Sequence, residues 1–199
     1  MYPLYEIGVP FIYMNAVGSQ RDVVTMLHEG GHAIHSFLTK NLKLTEFKSI
    51  PSEVAELASM TMELISMDHW DVFYSNPSDL KRAKLEQLEK ALETLPWVAA
   101  IDKFQHWIYT TDHTAKERKE KWIEIEKKLG NQIINWDGQD NERANLWQKQ
   151  LHLYEVPFYY IEYGMAQLGA IAMWRSYKEL GELALDNYIS ALKLGYTKP

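Results

Sequence analysis

The chain has no cysteine, so its 199 residues can hold neither a disulfide nor a thiolate metal ligand. Any metal site must be built from imidazole and carboxylate. Basic residues are in deficit, 21 against 27 acidic for a net charge of −6, which argues against nucleic acid as a partner because neutralising phosphates takes basic patches. No transmembrane run, secretory signal or transit peptide is recognisable, so no membrane partner is expected. Together with the missing cysteine this leads to the expectation of a cytoplasmic protein. No internal repeat or low-complexity linker appears, and the few prolines and glycines act as stop signals between periodic segments. What remains is 46% hydrophobic and 24% charged, ample for one sizeable core and a single domain over residues 1–199.

The periodicity is helical. Residues 79–95 form an amphipathic, charge-laced stretch expected to stop at Pro96, residues 97–110 are aromatic-rich, and residues 114–129 end at Gly130. Lys116, Arg118, Lys119 and Lys121 alternate with Glu117, Glu120 and Glu124, the pattern of a solvated, ion-paired face. Asp137-Gly138-Gln139-Asp140 reads as a turn. The one plausible extended segment lies between Val9 and Asn15. The expected fold class is all-α.

Chemistry is concentrated at His28-Glu29-Gly30-Gly31-His32. Val24, Leu27, Gly31, Ile34 and Leu38, with Val23, Met26, Gly30, Ala33 and Phe37 beside them, mark a helix apolar over most of its circumference, and Ser19 followed by Asp22 offers a capping-box-like start. Two histidines four residues apart on that helix can grip one metal ion from the same side. This is the HExxH arrangement of zinc peptidases, in which His28 and His32 are ligands and Glu29 is a general base. Mid-helix glycines cost roughly 1 kcal/mol each relative to alanine, so stability did not select Gly30 and Gly31, unless they relieve tight helix packing. His35 shares the stripe and is read as a structural or supporting residue, since three histidines on one helix cannot easily complete a tetrahedron.

The metzincin continuation would place Gly at 35 and His at 38, where this chain has His35 and Leu38. The third ligand is therefore expected from a carboxylate on a later helix. The segment from Pro51 supplies Glu56, set among Ala and Leu where an unpaired charge would be costly. Glu53, one turn earlier near the helix start, is its rival. Glu63, two turns beyond Glu56 on the same face, suits a hydrogen bond to a ligating histidine.

These two helices resemble the M3 family of zinc oligopeptidases, in the branch of oligoendopeptidase F and Pz-peptidase, with thimet oligopeptidase and neurolysin as more distant relatives. The family's third zinc ligand opens an E-x-x-S-x-x-x-E pattern, which falls here on Glu56, Ser59 and Glu63. Pro10-Phe11-Ile12-Tyr13-Met14-Asn15-Ala16 is also similar to this branch. A second match lies in His152 through Gly164, where the family uses a histidine and spaced tyrosines to hold the substrate carbonyl and its oxyanion. By resemblance these are His152, Tyr159 and Tyr163, the two tyrosines being expected on one face of a helix that starts after Pro157. The more distant relatives have a further tyrosine where this chain has Ala166, so Tyr160 stays an alternative.

The resemblance implies a zincin-like multi-helix catalytic domain that binds one Zn²⁺ per chain through His28, His32 and Glu56. It further implies hydrolysis of internal bonds in short peptides by a zinc-activated water, with Glu29 as base. A catalytically inactive metal- or peptide-binding helical module is the alternative. Family members are considerably longer, so this chain is expected to be the catalytic core of a larger peptidase whose remainder closes the substrate channel.

Overall fold

The computed structural model describes residues 1–198. Two short strands open the chain, β1 (Tyr2–Leu4) and β2 (Val9–Phe11), paired antiparallel with Tyr2 opposite Phe11 and Leu4 opposite Val9. The extended segment expected at Val9–Asn15 is thus only partly a strand, and its partner was not anticipated. Pro3 faces Pro10 in this pairing. Neither offers a backbone N–H, so the ribbon stays short.

Helices make up the rest: α1 (Gln20–Thr39), α2 (Ser52–Ile65), α3 (Pro77–Thr110), α4 (Ala115–Leu129), α5 (Asp140–Asn145), α6 (His152–Glu155), α7 (Ile161–Leu180) and α8 (Glu182–Leu192). The fold is all-α, as its periodicity required. No described helix is long and apolar enough to cross a membrane. The chain divides into two compact units, Met1–Glu89 with Met165–Pro199, and Lys90–Gly164.

In the first unit, α1 starts at the expected capping box. Asp22 Oδ2 accepts from the Ser19 backbone N–H at 2.7 Å and from Val17 at 2.9 Å, and these donors hold its carboxyl below the usual range. Helix α2 begins directly after Pro51, whose missing N–H costs nothing at a helix entrance. Val24, Leu64, Met67, Trp70, Ala83 and Ala170 form one buried cluster, and Ala58, Tyr188 and Leu192 another. The Tyr188 hydroxyl donates to the Ala58 carbonyl at 2.7 Å. Not all of the apolar circumference of α1 is covered: Met26, Ile34 and Phe37 remain exposed.

The core of the second unit is aromatic. Phe104 packs against Trp107, Trp122 and Trp147 with centroids 5.1–6.4 Å apart, and Ile101, Ile125 and Leu153 close the cluster. These contacts explain why Pro96 does not end its helix. Instead α3 runs through it. An interior proline removes one hydrogen bond and crowds the carbonyl four residues back, at roughly 3 kcal/mol. The burial of Val98, Ile101 and Phe104 just beyond it, each worth about 1.5–3 kcal/mol, outweighs that loss. Helix α4 is capped by Thr114, whose hydroxyl accepts from the Glu117 N–H. Its outer face carries the anticipated ion pairs, Lys116 with Glu120 and Lys121 and Lys128 with Glu124. The expected turn is present at Asp137-Gly138, with Gly138 at φ +76°, a left-handed value that favours glycine.

Candidate active site

Three donor groups converge in the first unit. His28 Nε2 lies 3.3 Å from Glu56 Oε2 and His32 Nε2 lies 4.0 Å from the same oxygen. One ligand atom from each of His28, His32 and Glu56 falls within 4.8 Å of the others. Tetrahedral zinc with ligands at ~2.0–2.2 Å separates them by roughly 3.4 Å, so small side-chain adjustments would close this set on one ion. Among the described residues this is the group of imidazoles and carboxylates with that geometry. Glu53 is absent from it. Glu29 stands outside it too and is paired with the amino group of Met1.

The close approach of α1 to α2 makes the convergence possible, and a glycine permits it. A Cβ on Gly31 would fall 2.7 Å from Ser59 Cα and 3.1 Å from Met62 Cβ. Gly31 therefore relieves helix packing, and in doing so lets Glu56 approach the histidines. Gly30 has open space around it, and nothing in the structure explains it.

Polar neighbours aim the first histidine. Its Nδ1 meets Glu63 Oε1 at 2.7 Å, as the spacing of Glu63 suggested, leaving Nε2 toward Glu56. Gln87 Nε2, on buried α3 surface, donates to the other Glu63 oxygen at 2.7 Å. The resulting row of Gln87, Glu63 and His28 fixes the orientation of the ring. Gln87 was missed in the sequence because it is one more polar residue in a charge-laced stretch.

The electrostatics are those of a site built around positive charge. Burial disfavours a protonated His28, but the carboxylates of Glu56 and Glu63 outweigh it and hold its pKa up to about 9. His32 is pushed down, by burial and then by the charge on His28. Burial also opposes the ionised form of Glu56, yet its hydrogen bond to His28 and the charge of both rings keep its carboxyl below the usual range. A proton on His28 thus occupies the electrostatic position that a cation would take. His35 is buried, with Nδ1 unpartnered, and its pKa is driven down to about 4 by burial.

A second group lies in the other unit. His152 opens α6, and its Nε2 is 3.3 Å from the Tyr163 hydroxyl. The rings of Tyr159, Tyr160 and Tyr163 all lie 5.0–6.0 Å from the His152 ring. All four residues of the expected group and its alternative are thus brought together. The helix expected after Pro157 begins only at Ile161, which leaves Tyr159 on the preceding loop. The reason is local. Phe158 adopts φ +65°, a left-handed conformation that a helix cannot contain. Its N–H donates to Oε1 of fully buried Gln105 at 2.9 Å, which holds the bend. Tyr159 still reaches Tyr163, with centroids 5.6 Å apart. Gln105 sits inside the aromatic stretch and carried no recognisable signal.

A helical protein presenting two imidazoles and a carboxylate from adjacent helices, with a glutamate between the histidines, has the donor set of a hydrolytic metal centre. The family model of Peptidase family M3 matches residues 2–199, and the chain belongs to that family. It is 27% identical over 198 residues to an oligoendopeptidase F homolog of Borreliella burgdorferi, covering 96% of this chain and 33% of that protein. It is 26% identical over 196 residues to the oligopeptidase PepF of Bacillus subtilis, covering 94% and 28%. The solved structure of Pz peptidase A with an inhibitor superposes with a TM-score of 0.90 at 32% identity, covering all of this chain and 35% of that one. The chain spans about a third of the length of the curated relatives it matches.

Proposed function

We propose that this chain is the catalytic part of a zinc-dependent oligoendopeptidase that hydrolyses internal bonds of short peptides. The observation that carries the reading is the convergence of His28, His32 and Glu56 in a member of a peptidase family. These three residues would hold the metal, with Glu63 orienting His28. Bound zinc supplies Lewis acidity and brings the pKa of water toward neutrality.

The chain's own residues supply the proton transfers. Glu29, which is not one of the converging donors, takes a proton from the attacking water and passes it to the leaving amide nitrogen. Family resemblance gives His152, Tyr159 and Tyr163 the task of donating hydrogen bonds to the carbonyl oxygen as negative charge develops on it. Tyr160 lies in the same cluster, but burial raises its phenol pKa and it packs against the aromatic core, which suits a supporting role better.

An internally quenched peptide tests the reading. Hydrolysis by the zinc-loaded chain, lost on chelation and restored by zinc, is the expected result. Zinc binding without cleavage would favour an inactive binding module, and cleavage insensitive to chelation would end the metallopeptidase assignment.

A further inference from the structure

Trp97, Gln150 and His152 form a directional hydrogen-bond chain within the second unit. An indole N–H can only donate, and Trp97 Nε1 donates to Gln150 Oε1 at 3.0 Å. That contact decides which end of the Gln150 amide is which. With its oxygen committed to the indole, its NH₂ group faces His152 Nδ1 at 2.7 Å. The NH₂ group offers only donors, so Nδ1 must accept, and the ring proton of the neutral imidazole sits on Nε2. Nε2 is the atom beside the Tyr163 hydroxyl, 3.3 Å away.

The indole at the head of the chain is held in place. The ring of buried Trp122 meets it nearly perpendicular with centroids 5.6 Å apart, and the Lys149 ammonium lies 4.3 Å from its centroid. Both contacts are favourable to an indole face or edge and resist its rotation.

We propose that Trp97 and Gln150 are positioning residues that lock His152 in its Nε2–H tautomer, so that the ring offers a hydrogen-bond donor on the side of Tyr163. The inference rests on reading His152 as a donor to the substrate carbonyl. The opposite tautomer would turn a lone pair toward that oxygen and repel the charge that builds on it, converting a stabilising group into an obstructive one. A half-buried tryptophan is suited to the head of the relay because, unlike a hydroxyl or an amide, it cannot exchange donor for acceptor and so cannot transmit the wrong polarity.

The test is ¹⁵N NMR of the histidine rings in the full chain, with the His152 signals assigned by their loss in His152→Gln. The native chain should show one tautomer, protonated at Nε2. In Gln150→Glu a carboxylate that can only accept faces Nδ1, and the proton should move there. In Trp97→Phe the amide is free to turn over and both tautomers should appear. The phenylalanine variant also keeps the question decidable if the glutamate variant does not fold. Peptide hydrolysis gives a second readout: Gln150→Glu should lower kcat at least ~10-fold with KM little changed, since the donor acts in the transition state. An Nδ1–H ring in the native chain, or a tautomer unmoved by both substitutions, overturns the proposal. The predicted tautomers in a zinc-loaded chain that cuts no peptide would sink the proposed function and leave the relay standing. Active chain with unaltered kcat in a tautomer-switched variant would overturn the catalytic use of the relay.

Discussion

The two groups of candidate site residues are built in opposite ways. His28, His32 and Glu56 project from the interiors of α1 and α2, regular helices whose spacing alone determines which side chains share a face. His152, Tyr159 and Tyr163 sit on a four-residue helix, a loop and the first turn of a long helix. Their grouping depends on a left-handed Phe158 and on two glutamines, Gln105 and Gln150, that pin the backbone and the ring. A metal centre needs a few ligands at fixed separations, which helical periodicity supplies directly. In the second group the placement of the ring and the bend of the backbone depend instead on contacts with neighbouring side-chain amides.

The contrast can be broken most forcefully at Glu29. If the helix pair holds the metal and Glu29 moves the proton, Glu29→Gln should retain zinc while peptide turnover falls at least ~10²-fold, measured as kcat at constant metal content. Loss of metal with full activity in the remaining holoprotein would overturn the division of roles.

At Gly31 the geometry of the helix pair itself is at stake. Gly31→Val drives a branched side chain against the α2 backbone, where Ser59 Cα leaves no room. The expected loss is on the order of 2–3 kcal/mol in urea unfolding, accompanied by weakened zinc binding. Gly30→Val, into open space, should leave the helix contact intact. Equal damage to zinc binding at both positions would mean that the close approach is not what seats Glu56.

His35 gives a pH test confined to the first unit. Its pKa is about 4 in the folded chain, lowered by burial, against ~6.5 unfolded. The unfolded state therefore binds the extra proton first. The stability from keeping this ring neutral is complete above pH 6.5 and is lost as pH falls through about 4. It amounts to on the order of 3 kcal/mol. In zinc-free chain the difference in unfolding free energy between native protein and His35→Gln should change across that window, and a pH-independent difference would contradict the burial argument.

The smallest effect is expected in the loop. Gln105→Leu removes the acceptor that holds Phe158 in its left-handed conformation, a strained state worth roughly 1–3 kcal/mol. Thermal unfolding should fall modestly, while zinc affinity stays unchanged because the substitution touches only the second group. A fall in zinc affinity would show that the two groups are not independently built.

The all-α class and the two helices that carry the candidate ligands were legible because their signals are periodic and local: the Ser19–Asp22 cap, the histidine spacing, and Glu63 in register to meet His28. Pro96 misled because a proline reads as a stop unless packing beyond it is known, and Val98, Ile101 and Phe104 bury themselves only in the tertiary structure. The late start of α7 was hidden for a similar reason, since nothing in Pro157-Phe158-Tyr159 announces a left-handed residue. Gln87, Gln105 and Gln150 escaped altogether. A glutamine of this kind acts through the partner it finds in space, and its neighbours in the chain do not reveal that partner.

Zinc titration with a competing chromophoric chelator reaches the central claim most directly, run on the native chain alongside Glu56→Gln and Glu53→Gln. One zinc per native chain is expected, with affinity lowered at least ~10-fold by Glu56→Gln and unchanged by Glu53→Gln. No zinc bound by the folded native chain, or a loss of affinity at Glu53 and not at Glu56, would contradict the assignment of His28, His32 and Glu56 as the metal ligands.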